Sequence, residues 1–269
     1  MEERLQWIKL QPLSWADWEP VRGGLAAHAA VTRRYPKAQR FVVEASPQRA
    51  GLAAQALRKP WWDRARWAGP AARFESPAEG TVQMVWANMA LHMAADPQRL
   101  IAQWHRMLGA DGFLMFSCLG PDTLRELRDL YQSLGWPPPA HEFTDMHDWG
   151  DMLVNAGFAE PVMDMERITL TFETGERLLA ELRQLGRNLH PGRFPALHGR
   201  GWHRQLLRAL SAPQPSVAPT QQLPLTFEII YGHALKPQPR LPVQSETVLS
   251  LDEMRRLLRQ GKTLPGSRP

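Results

Sequence analysis

The chain has 269 residues, of which 43% are hydrophobic, 22% are charged and one, Cys118, is a cysteine. That length allows a sizeable hydrophobic core in one large domain or two small ones, whereas a single cysteine excludes a disulfide scaffold and a four-thiolate metal site. The apolar runs are too short to cross a membrane, and the mixed-charge start MEERLQWIKLQ lacks the apolar core of a secretory signal. We therefore expect a cytoplasmic protein that does not span a membrane.

The charge balance is basic, with 32 lysines and arginines against 27 aspartates and glutamates and a net charge of +5. Such a balance suits nucleic acid, an anionic membrane surface or an acidic protein partner. Most of the basic residues are arginines scattered among acids, and the chain shows neither a nucleic-acid-binding module nor alternating aromatic and basic residues. Nucleic acid is therefore the least favoured partner.

The periodicity of apolar residues predicts helices that alternate with short strands. Such an alternation indicates a mostly parallel sheet covered by helices on both faces, with ligands bound beyond the carboxyl ends of the strands, where the strand order reverses. The residues that directly follow each strand are therefore the candidates for a binding site. In chain order, we predict helices at 25–35, 47–58, 97–108 and 145–156, and strands at 40–44, 82–87, 112–118, 162–165, 168–172 and 225–231.

Several polar residues that could be mistaken for a catalytic or metal site have simpler explanations. Asp145 and Asp148 stand where they can cap the helix at 145–156 and favour its positive end, and Gly157 ends that helix. The histidines of the second half lack a tight metal-ligand spacing and have no acid or cysteine nearby, so we expect no metal site. Cys118 follows an apolar strand and is expected to be a small buried residue.

Two segments differ in composition from the rest of the chain. Residues 183–227 contain six arginines and three histidines but no aspartate or glutamate, which fits either an ordinary solvated face or a surface that attracts an acidic protein. Residues 238–249 form a proline-rich linker, and residues 250–260 predict a short amphipathic helix that begins with a capping box. We therefore expect one domain at 1–237, with a helical insertion at about 175–215, and a separate tail at 238–269.

Four stretches resemble the malonyl-(acyl-carrier protein) O-methyltransferases of biotin synthesis. They are VWANMALHMAADP at 85–97, SCLGPDTLRELRDL at 117–130, DMHDWGDMLVNAGFAEPVMDMERITLTF at 145–172 and TFEIIYGHALKP at 226–237. The resemblance covers about residues 2–237. It implies a class I methyltransferase fold with a seven-stranded, mostly parallel sheet, S-adenosylmethionine (SAM) at the switch point, and methyl transfer to a carboxylate on an acyl-carrier protein.

The resemblance also identifies a cofactor loop, in which this chain departs from the family. The family pattern D-x-G-x-G-x-G corresponds to the end of WADWEPVRGG, where Asp17 is the acid, Gly23 is the last glycine and Gly24 follows it. Glu19 and Val21 replace the first two glycines. Glycine is expected there because the cofactor passes against the backbone, whereas a β-branched valine disfavours a positive φ and a glutamate adds a negative charge.

Three further positions complete the predicted cofactor site. Glu44, at the end of the second strand, can accept hydrogen bonds from both ribose hydroxyls, as acids do in dinucleotide sites. Asn88 and Met89 follow the next predicted strand, on the side of the sulfonium. The acid that would accept from the adenine amino group is replaced by Gly69-Pro70, which offers no side-chain acceptor. The predicted cofactor residues are thus Asp17, Gly23, Gly24, Glu44, Asn88 and Met89, and no catalytic residue is assigned.

Two hypotheses about activity follow from these departures. The first is an active SAM-dependent methyltransferase whose basic segment 183–227 meets an acyl-carrier protein or another acidic protein. The second is a pseudoenzyme that keeps the fold, has lost SAM and acts by binding another protein. The family also carries an N-terminal helix over the active site, and this chain begins where that helix would end, so either the helix is absent or the start lies upstream. Together these departures favour the loss or strong weakening of SAM binding over its retention.

Overall fold

The computed structural model describes residues 1–58, 62, 70–212, 222–239 and 255. The contacts between residues divide the chain into a large unit, Met1–Pro237, and a small one, Gln238–Pro269. The tail helix predicted at 250–260 lies outside the described residues except for Arg255, which is helical. Within the described ranges, no helix combines the length and the apolar character needed to cross a bilayer.

Six described strands form one sheet, and helices cover both of its faces. The strands are β1 Ser14–Trp18, β2 Gln39–Val43, β3 Val82–Ala87, β4 Leu108–Leu119, β5 Ala159–Phe172 and β6 Leu223–Leu235. The helices are α1 Pro20–Gly23, α2 Leu25–Arg34, α3 Pro47–Ala56, α4 Pro97–Met107, α5 Arg125–Ser133, α6 Met146–Asn155, α7 Gly175–Leu185 and α8 Arg200–Ser211, and two short 3₁₀ helices span Glu2–Trp7 and Leu91–Met93.

Most of the predicted elements are confirmed, with ends shifted by a few residues. The exception is the pair of strands predicted at 162–165 and 168–172, which are parts of the single strand β5. The long strand β6 pairs with β5 without a break from Val162 to Phe172, so the charged residues between the two apolar runs stay in the ladder. β5 is an edge strand, and an edge tolerates charged side chains.

The strand order is β2-β1-β3-β4-β6-β5, with parallel pairing from β2 to β4 and antiparallel pairing beyond it. This corrects the expected count of seven strands, since the described residues contain six. At the outer edge of β2 a seventh segment contributes one isolated parallel bridge, between Phe41 and Arg73. Pro70, just before it, has no N–H to extend the pairing.

The core lies on both faces of the sheet because successive side chains of a strand point to opposite sides. In β3, Met84 and Trp86 belong to one buried cluster with residues of α2, whereas Val85 and Ala87 belong to another with residues of α4 and α6. Both faces of the central strands are therefore covered, as expected for parallel strands. Four tryptophans of the core are almost fully buried: Trp15, Trp86, Trp104 and Trp149.

The ends of α6 form as its sequence predicts. Asp145 caps the helix by accepting a hydrogen bond from the backbone N–H of His147 over 2.8 Å. Gly157 follows the helix with a φ of 95°, a conformation that suits glycine. The capping interpretation of Asp145 is therefore confirmed, and Cys118 is buried, as predicted.

The chain order of the strands creates a crevice between the carboxyl ends of β1 and β3. From β1 the chain moves outward to β2 and then returns to the other side of β1 as β3. The register pairs Trp18 with Val43 and Asp17 with Trp86, so the residues that follow β1, β2 and β3 meet at one edge. This is the switch point at which open α/β sheets bind ligands.

Candidate functional site

The loop after β1 begins with Glu19 in the left-handed region, at a φ of 51°. The backbone N–H of Glu19 donates to the carbonyl of Val43 over 2.7 Å, which ties this turn to β2. Pro20 then opens α1 at a position where proline is favourable, and Val21 lies inside that helix. We expected Val21 to occupy a position that needs a positive φ, which valine disfavours. That expectation is wrong, because the residue with the positive φ is Glu19.

The negative charge of Glu19 is paired within the protein. Its Oε2 lies 3.3 Å from Nη1 of Arg22 and 3.5 Å from Nη1 of Arg49, and the side chain is only 10% exposed. The negative charge that Glu19 brings to the cofactor loop is thus compensated by two arginines. The Arg49 contact could not be predicted from local sequence, since 30 residues separate the two partners.

Gly23 allows the loop to touch the segment that follows β3. A Cβ at Gly23 would lie 2.4 Å from the carbonyl oxygen of Asn88, closer than any real contact. The side-chain amide of Asn88 donates to the carbonyl of Gly23. Gly24 ends α1 with a φ of 101°, and a Cβ there would meet nothing within 4 Å. The lack of room for a Cβ therefore requires glycine at position 23, whereas the positive φ favours glycine at position 24.

Ser117, on β4, fixes the two predicted residues after β3. Its hydroxyl donates to Oδ1 of Asn88 over 2.7 Å and accepts the backbone N–H of Met89 over 3.2 Å. Met89 has a φ of 54°, so this hydrogen bond holds an unusual backbone conformation. Ser117 is not among the predicted cofactor residues, although its place near the end of an apolar strand is the signal that could have found it.

Glu44 is the site residue with unused hydrogen-bonding capacity. Its Oε1 accepts the backbone N–H of Val21 over 2.8 Å. Its Oε2 is buried and has no hydrogen-bond partner. Burial raises the pKa of this carboxyl, and the nearby charge of Glu19 acts in the same direction. A buried acceptor without a partner is costly, so a ligand that donates a hydrogen bond here would stabilise the site.

Asp17 is buried and contacts another element of the fold. It is 2% exposed, and its Oδ2 lies 2.7 Å from Nδ1 of His28 on α2. Burial raises the pKa of the Asp17 carboxyl, and the hydrogen bond from His28 opposes that shift. The acid at this family position therefore joins β1 to α2.

At the position of the adenine acceptor, Pro70 is described and Gly69 lies outside the described residues. The carbonyl of Pro70 accepts a hydrogen bond from the guanidinium of Arg40. The backbone oxygen of Pro70 is thus already engaged with a neighbouring strand, and the residue brings no side-chain acceptor.

A polar cavity of about 320 Å³ lies beside the loop after β1, and we call it the loop cavity. Trp18, Glu19 and Arg22 line it on the loop side, and Met93 of the 3₁₀ helix after β3 also lines it. On α4 the lining includes both charged and amide side chains, namely Arg99 and Gln103. Among the described residues, no group of three metal-ligating side chains is close enough to hold an ion.

Similarity to known proteins identifies the family of this chain. A malonyl-(acyl-carrier protein) O-methyltransferase of Gallionella capsiferriformans is 38% identical over 248 residues, which cover 90% of this chain and 83% of that protein. The protein of the same name from Methylovorus is 35% identical over 246 residues, which cover 90% and 81%. The chain belongs to the malonyl-(acyl-carrier protein) O-methyltransferase family. Residues 22–116 also match the methyltransferase domain family.

Solved structures agree with this family at the level of the fold. A candidate methyltransferase from Bacillus halodurans superposes with a TM-score of 0.59 over 88% of this chain and 99% of its own, at 14% identity. The YcgJ protein of Bacillus subtilis gives a TM-score of 0.55 over 88% and 97%, at 12% identity. These likenesses establish the class I methyltransferase fold of this malonyl-(acyl-carrier protein) O-methyltransferase family member.

Class I methyltransferases use SAM, and the residues at the crevice fit its central part. The free Oε2 of Glu44 is an acceptor where a ribose hydroxyl would donate. Gly23 lets α1 lie directly against the backbone of Asn88, which places the segment after β3 beside the loop. The adenine end has no acidic partner in the described residues, since Pro70 replaces it. The fit therefore rests on Glu44, while Gly23 allows the loop and the segment after β3 to meet at the crevice.

Proposed function

We propose that the chain is an active methyltransferase that binds SAM in the crevice between β1 and β3 and methylates a carboxylate on an acyl-carrier protein. The observation that carries this proposal is the buried oxygen of Glu44 that has no partner. The relatives support the methyl acceptor, because their names specify a malonyl group on an acyl-carrier protein. SAM, when bound, supplies a methyl group on a positively charged sulfur.

The residues of the crevice have separate roles in this proposal. Glu44 accepts hydrogen bonds from the ribose, and the glycine at position 23 lets α1 pack against the segment after β3 that carries Asn88. Arg22 and Arg49 hold the Glu19 carboxylate, which limits its repulsion of the cofactor's own carboxylate. Asn88 and Met89, fixed by Ser117, form the side toward the sulfonium. Each of these groups binds or orients a reactant.

No general base is needed for this reaction. A carboxylate is already ionised at neutral pH and can act as the nucleophile directly, so the protein contributes alignment and the exclusion of water. We therefore expect mutations at the crevice to change cofactor affinity more strongly than they change the pH profile of the chemical step.

The basic segment 183–227 is the proposed contact surface for the carrier protein. It contains no acid, and exposed arginines occur along its described part, including Arg183, Arg187, Arg193 and Arg204. An acidic protein would be attracted to such a surface, and salt would weaken the attraction. This proposal assumes only that the partner protein is negatively charged.

Calorimetric titration of the full chain with SAM tests the cofactor. We expect saturable binding, and at least tenfold weaker binding in Glu44→Gln, which corresponds to about 1.4 kcal/mol. Glu79→Gln is the matched control, because Glu79 is an exposed glutamate paired with Arg106 at the surface. If the unmodified chain gives no heat with millimolar SAM, the non-catalytic alternative is correct. If it binds, transfer of a labelled methyl group to malonyl-loaded carrier protein tests the acceptor.

A further inference from the structure

Glu19, the residue that follows β1, combines an unfavourable backbone conformation with a buried charge. Its φ of 51° lies in the left-handed region, which favours glycine over any residue with a Cβ. Its side chain is only 10% exposed and lines the loop cavity. Because the fold maintains both features at the edge of a binding crevice, they point to a role of Glu19 in ligand binding.

Two guanidinium groups lie against the carboxylate of Glu19. Its Oε2 is within 3.5 Å of the guanidinium of Arg22, on α1, and of the guanidinium of Arg49, on α3. Both arginine side chains are 35% exposed, so a ligand can reach them as well. Guanidinium groups bind carboxylates strongly because each of them donates several N–H groups in a fixed geometry. Glu19 therefore fills a carboxylate-binding position that the chain itself forms.

The order of the chemical groups along SAM directs its own carboxylate toward this position. In SAM the ribose is followed by the sulfonium and then by an amino acid end, which carries an α-carboxylate. The proposed function has the ribose at Glu44 and the sulfonium beside Met89. The next residue of the chain, Ala90, lines the loop cavity together with Glu19 and Arg22. The amino acid end of a cofactor bound in this way would extend from the sulfonium toward the loop cavity.

The other charged residues of the loop cavity do not replace Glu19 in this contact. Among the described lining residues, the charged ones are Glu19, Arg22, Asp96 and Arg99. Oδ1 of Asp96 caps α4 by accepting the backbone N–H of Arg99 over 2.9 Å. The guanidinium of Arg22 lies instead against Glu19, at 3.3 Å. A ligand carboxylate that enters the cavity thus meets two arginines, of which Arg22 is already paired with an acid of the chain.

We propose that Glu19 is an internal competitor of the cofactor, whose carboxylate occupies the place at Arg22 and Arg49 that the α-carboxylate of SAM would otherwise take. This inference rests on the proposed function and adds to it a residue that sets cofactor affinity and specificity. To pair with Arg22, SAM has to displace the Glu19 carboxylate. The chain therefore binds SAM less tightly than a variant with glycine at position 19, and it discriminates only weakly against an analogue that lacks the carboxylate.

The first test compares the SAM affinity of the full chain with that of Glu19→Gly by calorimetric titration. We expect the variant to bind SAM about tenfold more tightly, because both arginines become free for the cofactor. Glu160→Gly is the matched control, since Glu160 is an exposed glutamate of β5 with nearly the same φ, 50°, and does not line the loop cavity. It also replaces a glutamate at a positive φ by glycine, and it should leave SAM affinity unchanged. Thermal melting of each variant establishes that it is folded.

The second test uses decarboxylated SAM, which keeps the ribose and the sulfonium and lacks the carboxylate. Glu19→Gly should change its affinity by less than about twofold, and Arg22→Ser added to Glu19→Gly should remove most of the gain for SAM. Equal tightening of the two ligands would assign the gain to the backbone and overturn the inference.

The outcomes separate this inference from the proposed function on which it rests. Equal SAM affinity of the unmodified chain and Glu19→Gly would overturn the inference alone. Binding of SAM by Glu19→Gly and not by the unmodified chain would support the inference and overturn the proposed activity. Absence of SAM binding in both proteins would overturn both.

Discussion

At the scale of single residues, the protonation of Glu44 should control cofactor affinity. Burial raises the pKa of Glu44, so in the folded protein this carboxyl takes up a proton at a higher pH than an exposed glutamate. The protonated form has lost an acceptor for the ribose hydroxyls. SAM affinity should therefore fall as the pH is lowered from about 8 to 5, and the fall should be absent in Glu44→Gln. Calorimetric titration across this pH range measures the SAM affinity of the unmodified chain and of Glu44→Gln. A parallel decline of affinity in the two proteins would assign the effect to another group.

The same raised pKa has a consequence for stability. A carboxyl that binds its proton more tightly in the folded state than in the unfolded state stabilises the fold most at acid pH, and this contribution is lost as the pH rises through the folded pKa. Glu44 and Asp17 both belong to this class, because burial is the main cause of the raised pKa in each. Cofactor binding and folding thus favour opposite protonation states of Glu44.

Removal of His28 should reveal how much the buried pair with Asp17 contributes. His28→Ala leaves the Asp17 carboxyl buried without its 2.7 Å partner, and we expect a loss of about 3 kcal/mol in the free energy of unfolding. His147→Ala is the control, because His147 pairs with Asp145 at the same distance but its side chain is 80% exposed. The control should lose less than about 1 kcal/mol. Urea denaturation measures both, and equal losses would show that burial of the pair has no effect.

At the scale of elements, the contact between α1 and the segment after β3 depends on the absence of a side chain at Gly23. Gly23→Ala places a Cβ 2.4 Å from the backbone oxygen of Asn88, and backbone atoms cannot move aside as a flexible side chain can. We expect a loss of about 1–3 kcal/mol in stability and weaker SAM binding. Gly51→Ala is the matched control, since Gly51 is helical with nothing within 4 Å of its Cβ position, and it should stabilise the fold by about 0.5–1 kcal/mol. Denaturant melts that show the same change in both variants would contradict the close contact.

The elements of the sheet were predictable because their patterns are local. The apolar run at 82–87 and the cap and stop of α6 depend on residues that are neighbours in sequence, and both are confirmed. The described residues form six strands rather than the expected seven, because periodicity does not reveal whether a segment at the edge of the sheet finds pairing partners. The helical conformation of Val21 was also missed, since it depends on Glu19 taking the left-handed position before Pro20.

The site was only partly predictable, for a related reason. Glu44 and Gly23 were found because they occupy positions that the family pattern names. The partners that decide what those residues can do lie far away in the chain: Arg49 is 30 residues from Glu19, and Ser117 is 29 from Asn88. Charge compensation across such distances is a property of the fold, and it removes the electrostatic objection to a glutamate in the loop.

At the scale of the whole molecule, the distribution of charge should determine how the carrier protein associates. Changing Arg193 and Arg204 to glutamate reverses both charges and lowers the net charge of the chain from +5 to +1. The same changes at Arg33 and Lys37, which are exposed and lie outside the basic segment, give the same net charge. If the segment is the contact surface, Arg193→Glu/Arg204→Glu should weaken binding of the carrier protein about tenfold at low salt, and Arg33→Glu/Lys37→Glu should weaken it much less. The difference should shrink as the salt concentration approaches about 1 M, where the Debye length falls to about 3 Å. Calorimetry or KM measurements at several salt concentrations distinguish a contact at the basic segment from an effect of net charge alone. An effect of net charge alone would weaken binding of the carrier protein equally in both double variants.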